Sequence, residues 1–244
     1  MPQLFIRLFG SLDTGSSHLH FLRTVKDLPL SGFKTVLDAG CGRGAFTFWL
    51  AQNYADARYH ACDLSESNIQ ICKSIQAKTG TRCHFFVQDL VGYCQPDSYD
   101  FILTNHVLEH IPRNREVITN LCKSLKAGGF IYIQIPNPSA SRIFPDRYFS
   151  AHDRWAKQEH TGQSLTLETL ADTVQLSGCQ VLIKRYVTGF WGSLSFELKE
   201  ISLNYLKSYP LFGILFPFLK LFSLLDARMN YRTGNGLLVL ARKT

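Results

Sequence analysis

The stretch VLDAGCGRGAF, Val36 to Phe46, sets glycines at every second position, Gly40, Gly42 and Gly44, just after an apolar run and an aspartate, Asp38. The apolar run ends in a turn that only glycine-type backbone angles allow, and "GAFTFWLAQNY" follows with helical spacing, so the segment reads as strand, tight turn, helix. A turn built to cradle a pyrophosphate would be spaced G-x-G-x-x-G, with no acid at its mouth. Here the spacing is G-x-G-x-G and a carboxylate stands there, which favours a ligand that brings positive charge.

Reading outward, "TVLDAG", "RYHACDL", "RCHFFVQDL", "YDFILTN" and "GGFIYIQIP" are short buried-type strands. Between them, "GAFTFWLAQNY", "SESNIQICKSIQAKTG" and "NREVITNLCKSLKAGG" carry apolar residues at i, i+3, i+4. Ser65 is placed as a helix N-cap, and Gly80 and Gly128 fall where C-terminal glycines belong. Strands alternating with helices predict βαβ units and an α/β, doubly wound, mostly parallel sheet. Each predicted strand ends in a polar residue: Asp38, Asp63, Asp89, Asn105 and, after Pro136, Asn137. Ligands of such sheets bind outside the carboxyl ends of the strands, so these residues mark the candidate site.

After Ile135 the pattern loosens. "PNPSASRIFPDRYFSAHDRWAKQEHTGQS" is too long and aromatic for a simple turn and reads as an ordered active-site loop. "TLETLADTVQLSG" then reads as a helix, "CQVLIKRYV" as a sixth strand and "GNGLLVLARK" as a seventh. The strongly apolar segment between those strands is an insertion. Lys220, Pro210 and Pro217 are expected to break it into runs too short for a membrane span of roughly 18–20 residues.

At 244 residues and 45% hydrophobic content the chain suits one large domain with elaborations. The net charge is +7; residues 1–135 carry 13 Lys/Arg against 11 Asp/Glu, and residues 136–244 carry 13 against 8. The basic excess thus lies in the C-terminal part and suits an anionic substrate or membrane surface there. Seven scattered cysteines without a C-x-x-C pair argue for reduced thiols and against a disulfide framework. The apolar N-terminus "MPQLFIRLFGSLD" has no positive n-region and no small-residue cleavage site, against a secretory signal.

S-adenosylmethionine answers the question raised by Asp38, because it carries an ammonium and a sulfonium and no phosphate. "VLDAGCGRGAF", "ACDLSESNI", "FVQDL" and "YDFILTNHVLEHIP" as a series resemble the class I (Rossmann-like) S-adenosylmethionine-dependent methyltransferases of small molecules, over about residues 34–136. The resemblance implies a seven-stranded, mostly parallel sheet with the last strand antiparallel and a mainly helical insertion before it. Residues 1–33 would form an N-terminal helical segment or lid, 34–187 with 232–244 the cofactor-binding domain, and 188–231 an insertion serving as substrate cap, dimer contact or membrane face. Asp38, Gly40 and Gly42 would face the methionine moiety, with Cys41 in the same turn. Asp63 would accept both ribose hydroxyls, Leu64 and Leu90 would flank the adenine, Asp89 would accept its amino group, and Asn105 would lie by the sulfonium.

Methyl transfer to a hydroxyl needs alignment and removal of a proton. His106, Glu109 and His110 in "NHVLEHIP" share one face of a helical turn, and an imidazole titrates near neutrality, so these are the candidate catalytic residues, His106 first. Their spacing is similar to an E-x-x-E-H metal motif of some methyltransferases, with His160 as a further ligand. His106 replaces the first glutamate, however, leaving fewer carboxylates for a hard Mg²⁺ ion, and no metal is expected. For the substrate wall the candidates are His18, Arg142, Tyr148, His152, Trp155, His160 and Trp191.

The expected activity is O-methylation of a small molecule, the alternatives being N-methylation of an amine or guanidine-like metabolite and methylation of a lipid-linked or isoprenoid substrate at a membrane surface. The expected location is cytoplasmic, with peripheral membrane or homodimer contact through 196–228 as the partner options. Nucleic acid is not an expected partner: the end of the fourth strand reads "NHVL" where DNA amino-methyltransferases carry N/D-P-P-Y/F.

Overall fold

The structure is a computed structural model and describes residues 15–244. The stretch 1–14, including all of "MPQLFIRLFGSLD", lies outside the described residues.

Seven strands form one sheet: β1 (Thr35–Ala39), β2 (Arg58–Asp63), β3 (Cys83–Val87), β4 (Tyr99–Asn105), β5 (Leu125–Pro136), β6 (Cys179–Val187) and β7 (Gly236–Lys243). Their order is β3-β2-β1-β4-β5-β7-β6, and β7 runs antiparallel to both of its neighbours. The chain goes one way from β1 to β2 and β3 and the other way to β4 and β5. The order therefore reverses beside β1, and a crevice opens at the carboxyl ends of β1 and β4.

Both faces of the central strands are buried. On one face Leu37, Ile102, Ile131, Ile133 and Val239 pack with Val117, Ile118 and Leu121 of α4 (Asn114–Ser124) and Leu170 and Val174 of α6 (Leu167–Leu176). On the other, Val36, Phe101, Leu103, Tyr132 and Leu238 pack with Phe21 and Val25 of α1 (Ser17–Val25) and Leu50 of α2 (Ala45–Asn53). A third cluster joins Phe48 to Ile69 and Cys72 of α3 (Glu66–Thr79) and to Phe85. Neighbouring residues of a strand, such as Val36 and Leu37, serve opposite faces, which is why the strands read as unbroken apolar runs.

Local punctuation agrees with the sequence in several places. Ser65 Oγ accepts the Asn68 N–H at 3.3 Å, and Gly80 closes α3 at φ +68°. At Gly128 the expectation fails: α4 ends at Ser124, β5 has begun at Leu125, and Gly128 takes φ +78° within that strand. Leu125 already pairs with Tyr99, and the register shifts between Tyr99 and Phe101, so the glycine relieves an irregularity in the ladder.

The polar loop after β5 contains a helix the periodicity did not announce, α5 (Ser150–Glu159), because it has no buried face. Between β6 and β7 lie α7 (Phe190–Glu200), a π turn (Ile201–Tyr205) and α8 (Tyr209–Arg228). The expected breaks in this insertion are overturned. Pro210 sits in the first turn of α8, where its missing N–H would lack a partner anyway, and Pro217 lies inside a helix of 20 residues. Buried Phe216 and Leu219 on either side of Pro217 hold the turn it weakens, and Ser195 Oγ of α7 donates to the Leu219 carbonyl at 3.0 Å. By length and composition α8 could cross a membrane, and 28% of its apolar window is buried.

The insertion is tied to the sheet by a buried polar knot. Asp226 accepts the N–H groups of Gly189 (3.0 Å) and Gly192 (2.9 Å) at the start of α7, and His20 Nε2 of α1 lies 2.7 Å from its Oδ2. A Cβ on Gly192 would stand 2.5 Å from that carboxylate, so glycine permits the approach. Asp226→Ala is expected to lower the unfolding free energy by roughly 3–5 kcal/mol, since two amides and a buried imidazole lose their partner. Urea titration followed by circular dichroism measures it.

Candidate active site

A cavity of about 660 Å³ opens at the carboxyl ends of β1, β2 and β4 and beside the residues after β3. All nine residues proposed from the sequence for the cofactor line it: Asp38, Gly40, Cys41, Gly42, Asp63, Leu64, Asp89, Leu90 and Asn105. Gly40, Gly42 and Gly44 have φ +85°, +53° and +80°, so every second residue of the turn is left-handed, a conformation strained for a residue with a side chain. A Cβ at Gly40 would lie 2.3 Å from Val107 Cγ2, whereas one at Gly42 would meet nothing within 4 Å. Gly40 is thus needed for packing under the site, and Gly42 leaves open space toward the cavity.

The three acids differ in environment. Asp63 is organised by the loops around it: Oδ2 accepts the Gly42 N–H (2.8 Å), and Oδ1 accepts the Ser65 N–H (2.9 Å) and Asn68 Nδ2 (3.2 Å). Asp89 accepts the Val91 N–H at 2.9 Å and otherwise faces outward. Asp38 is 3% exposed, and Thr47 Oγ1 donates to it at 2.5 Å. Burial outweighs that hydrogen bond and raises its pKa to about 7. Burial likewise, with Asp38 nearby, pushes the Cys41 thiol well above its ordinary value, so it stays protonated and acts as packing.

Two features of the wall are suited to an organic cation with an aromatic base. Leu64 is 72% exposed, an apolar side chain turned to the cavity rather than to the core. Asn105 Oδ1 is buried without a hydrogen-bond partner, an acceptor left for something in the cavity. Asp38, Asp63, Asp89 and Glu159 face a single arginine, Arg43, among the lining residues, a poor lining for a pyrophosphate.

A second cavity, of about 760 Å³, lies beside the first, and His106 and His110 line both. His106 holds φ +56°, an uncommon angle outside glycine that histidine tolerates better than most, and its N–H is anchored to the Gln134 carbonyl at 2.8 Å. A chain of hydrogen bonds orients its ring. Tyr132 OH donates to Gln134 Oε1 (2.5 Å), Gln134 Nε2 donates to Ser17 Oγ (3.0 Å), and Ser17 Oγ lies 3.2 Å from His106 Nε2. Since Ser17 accepts from Gln134, its own proton is free to point at His106 Nε2, while Nδ1 faces Glu109 Oε1 at 3.5 Å.

Of the residues proposed for the substrate, Arg142, His152, Trp155 and His160 line the second cavity together with Glu109. His18, Tyr148 and Trp191 do not. His18 stacks on Phe46 (ring centroids 5.3 Å apart), Tyr148 packs edge-on against Tyr205 (4.9 Å), and Trp191 stacks on Phe222 of α8 (5.3 Å). Each is held by a neighbouring aromatic ring. Arg142 is drawn into ion pairs with Asp146 and Asp153, so its charge is largely spent within the loop.

Sequence reasoning missed Ser17, Thr188, Glu197 and Asn235, which also line the second cavity. Glu197 is a buried carboxylate that accepts the N–H groups of Ile143 (3.0 Å) and Phe144 (2.8 Å) and so fixes the loop after β5. Its sequence signal is weak, since the same helix also carries Lys199 and Glu200.

The comparisons agree with this geometry. A family model described as "Methyltransferase domain" matches residues 31–177. A ubiquinone biosynthesis O-methyltransferase of a Shewanella species is 27% identical over 106 residues, which is 43% of this chain and 44% of that protein. The chain spans less than half the length of the curated relatives it matches. A putative sarcosine dimethylglycine methyltransferase from Galdieria sulphuraria shares the fold at TM-score 0.63 and 16% identity, over 100% of this chain and 98% of that one. Phosphoethanolamine N-methyltransferase 2 of Haemonchus contortus, solved with S-adenosyl-L-methionine, does so at TM-score 0.66 and 18% identity, over 93% and 52%. With the family model covering more than half of the chain and the seven-stranded sheet in the expected order, this chain belongs to the methyltransferase domain family with the class I, Rossmann-like fold.

Proposed function

We propose that the protein is an S-adenosylmethionine-dependent methyltransferase that methylates a hydroxyl group of a small molecule. The observation that carries the reading is the meeting of two cavities at His106: one lined by strand-end acids, the other by the aromatic loop after β5. When bound, S-adenosylmethionine supplies an activated methyl group and a neutral sulfur leaving group.

The chain's own residues do the rest. Asp38 and the turn Gly40–Gly42 receive the methionine end, the carboxylate matching the ammonium. Asp63 receives the ribose; three of its roughly four acceptor positions are already used, so a second hydroxyl would displace the long Asn68 contact. Leu64 covers the adenine and Asp89 accepts its amino group. Ser17 Oγ, 3.2 Å from His106 Nε2, marks the position from which a hydroxyl reaches that nitrogen, and an acceptor hydroxyl in the second cavity would take over this contact from it. A substrate hydroxyl in that place gives its proton to Nε2 as its oxygen bonds to the methyl carbon, and Glu109 beside Nδ1 steadies the resulting imidazolium. The C-terminal basic excess favours this over an amine substrate.

A methyltransferase of a lipid-linked or isoprenoid substrate is the second reading, supported by α8. Its residues Ile214 (69% exposed), Phe218 (54%) and Leu221 (51%) form an outward apolar stripe at helical spacing, with Arg228 at its end. Cosedimentation with anionic phospholipid vesicles, lost in Phe218→Asp/Leu221→Asp, would support it; no cosedimentation of the parent protein would dismiss it.

Calorimetric titration with S-adenosylhomocysteine and, in parallel, NAD tests the cofactor. Binding of the first alone is expected, weakened about 10- to 100-fold in Asp63→Ala as charge-assisted hydrogen bonds are lost. Binding of neither, or of NAD, would sink the reading.

The Asp38 pKa gives a pH signature. Below about 7 its carboxyl is protonated in the free protein and cannot pair with an ammonium, so affinity for S-adenosylhomocysteine should rise from pH 6 to 8, with proton release on binding near pH 7. The folded value lies above the ordinary 3.8, so the folded state holds a proton that the unfolded chain has lost. Stability from this group is therefore full below about 4 and declines as pH rises to about 7. Asp38→Asn should flatten both profiles.

For catalysis, His106→Ala is expected to lower kcat by about 10²–10⁴-fold on a hydroxylated acceptor with KM little changed, as loss of a general base does. Release of S-adenosylhomocysteine over a panel of phenols, hydroxy acids and amines identifies that acceptor class. Unchanged kcat in the variant would remove His106 from the mechanism.

A further inference from the structure

We propose that Gln134 contacts the substrate: its side-chain amide donates to the oxygen that is methylated and, together with His106, restricts the acceptor atom to oxygen. This rests on the reading of hydroxyl methylation above.

Gln134 interrupts the apolar run "FIYIQIP" of β5, and it is fully buried. A core amide needs a partner at both ends. Its Oε1 accepts from Tyr132 OH at 2.5 Å, and its Nε2 donates to Ser17 Oγ at 3.0 Å. The direction of this chain is set at its inner end. Tyr132 is also fully buried, and burial pushes its phenol well above the ordinary value, so it keeps its proton. The charged group acting on that phenol is the guanidinium of Arg185, which has no lone pair to offer. The phenol proton therefore goes to Gln134 Oε1, and the amide nitrogen must face Ser17.

Ser17 Oγ is thereby a meeting point. It lies 3.0 Å from a donor, Gln134 Nε2, and 3.2 Å from His106 Nε2, while the other nitrogen of that imidazole faces Glu109. Gln134 holds the imidazole through its backbone as well, since its carbonyl accepts the His106 N–H at 2.8 Å. One strand residue thus places a donor and a base around a single oxygen position. Ser17 is half-buried and lines the second cavity, so a turn about its Cα–Cβ bond vacates that position to a ligand there.

This arrangement separates oxygen from nitrogen. A hydroxyl placed there gives its proton to His106 Nε2, accepts the Gln134 N–H on one lone pair and attacks with the other. Its oxygen bonds to the methyl carbon as that carbon's bond to sulfur breaks, with the electron pair staying on sulfur and the proton on Nε2. A neutral amine has one lone pair, which the Gln134 N–H would occupy, and an ammonium has none. The amide also stabilises the negative charge that grows on oxygen as the proton departs. Fastening α1 to the sheet does not require the contact: Phe21 and Val25 of α1 are buried in the core, and His20 is held by Asp226.

The test uses 4-nitrophenol, whose phenolate absorbs in the visible, added to the protein in excess S-adenosylhomocysteine. Just below the pH at which the free probe ionises, the parent protein is expected to show a saturable phenolate band. Gln134→Met, with unchanged circular dichroism and S-adenosylhomocysteine affinity, should lower the ratio of ionised to neutral bound probe about 10- to 100-fold, as a hydrogen bond to a charged group is lost. Tyr132→Phe should lower it less, because the donor remains and only its orientation is loosened. Ser17→Ala should keep the band, since the probe replaces that hydroxyl. If Gln134→Met fails to fold, Tyr132→Phe/Gln134→Met removes both polar groups together and takes its place.

A purely structural tie would shift the unfolding midpoint of Gln134→Met and leave the band as it is. No band in the parent protein, an equal band in Gln134→Met, or loss of the band in Ser17→Ala would overturn the assignment. Faster release of S-adenosylhomocysteine with benzylamine than with benzyl alcohol would do the same. Binding of S-adenosylhomocysteine without the band defeats the role of Gln134 and leaves the methyltransferase reading standing. The band without S-adenosylhomocysteine binding upholds the oxygen position and defeats that reading.

Discussion

The site depends on the close contact between Gly40 and Val107. β1 and β4 lie side by side where the order of strands reverses, and the chains leaving them must diverge to open a crevice. The turn after β1 comes so near the segment after β4 that a methyl group on Gly40 would overlap Val107. Around that contact the glycine turn crosses the carboxyl end of the sheet, the Gly42 N–H meets Asp63, and His106, the residue before Val107, lines the same cavity. The two sides of this cavity therefore meet at one packing contact.

Electrostatics then divides the labour among carboxylates of the same chemical type. Asp63 is oriented at the cavity by three donors from the loops around it. Asp38, buried with one hydroxyl partner, shares its proton with the solvent near neutrality and gains a charge when a cation arrives. Glu197 and Asp226 are spent on backbone amides and hold loops and helices in place. Glu109 keeps one buried oxygen unpartnered beside His106 and His110. In each case the number of donors already satisfied, rather than the residue type, decides the role.

The insertion before β7 contributes the other half of the cavity. Through His20 and Asp226 it is locked to α1, and through Glu197 to the loop after β5. The second cavity is accordingly bounded by segments far apart in the chain, and its shape answers to the packing of α7 on α8. The outward stripe of α8 leaves that packing untouched and is available for contacts beyond the domain.

From the sequence alone, local chemistry determined the strands, their polar ends, the left-handed glycine turn and the cap at Ser65, because each depends on residues within a few positions. The first cavity was legible for that reason: acids at strand ends stand out from the core pattern, and all nine residues expected to share a site line it. Only the tertiary structure decided the rest. His18, Tyr148 and Trp191 look like substrate contacts in the chain, yet each finds an aromatic partner first. Pro217 looks like a helix breaker, yet buried Phe216 and Leu219 carry the helix through it. His160 was grouped with Glu109 and His110 only through a resemblance, and what brings it there is a set of hydrogen bonds across some fifty residues, a separation at which neither periodicity nor spacing holds information.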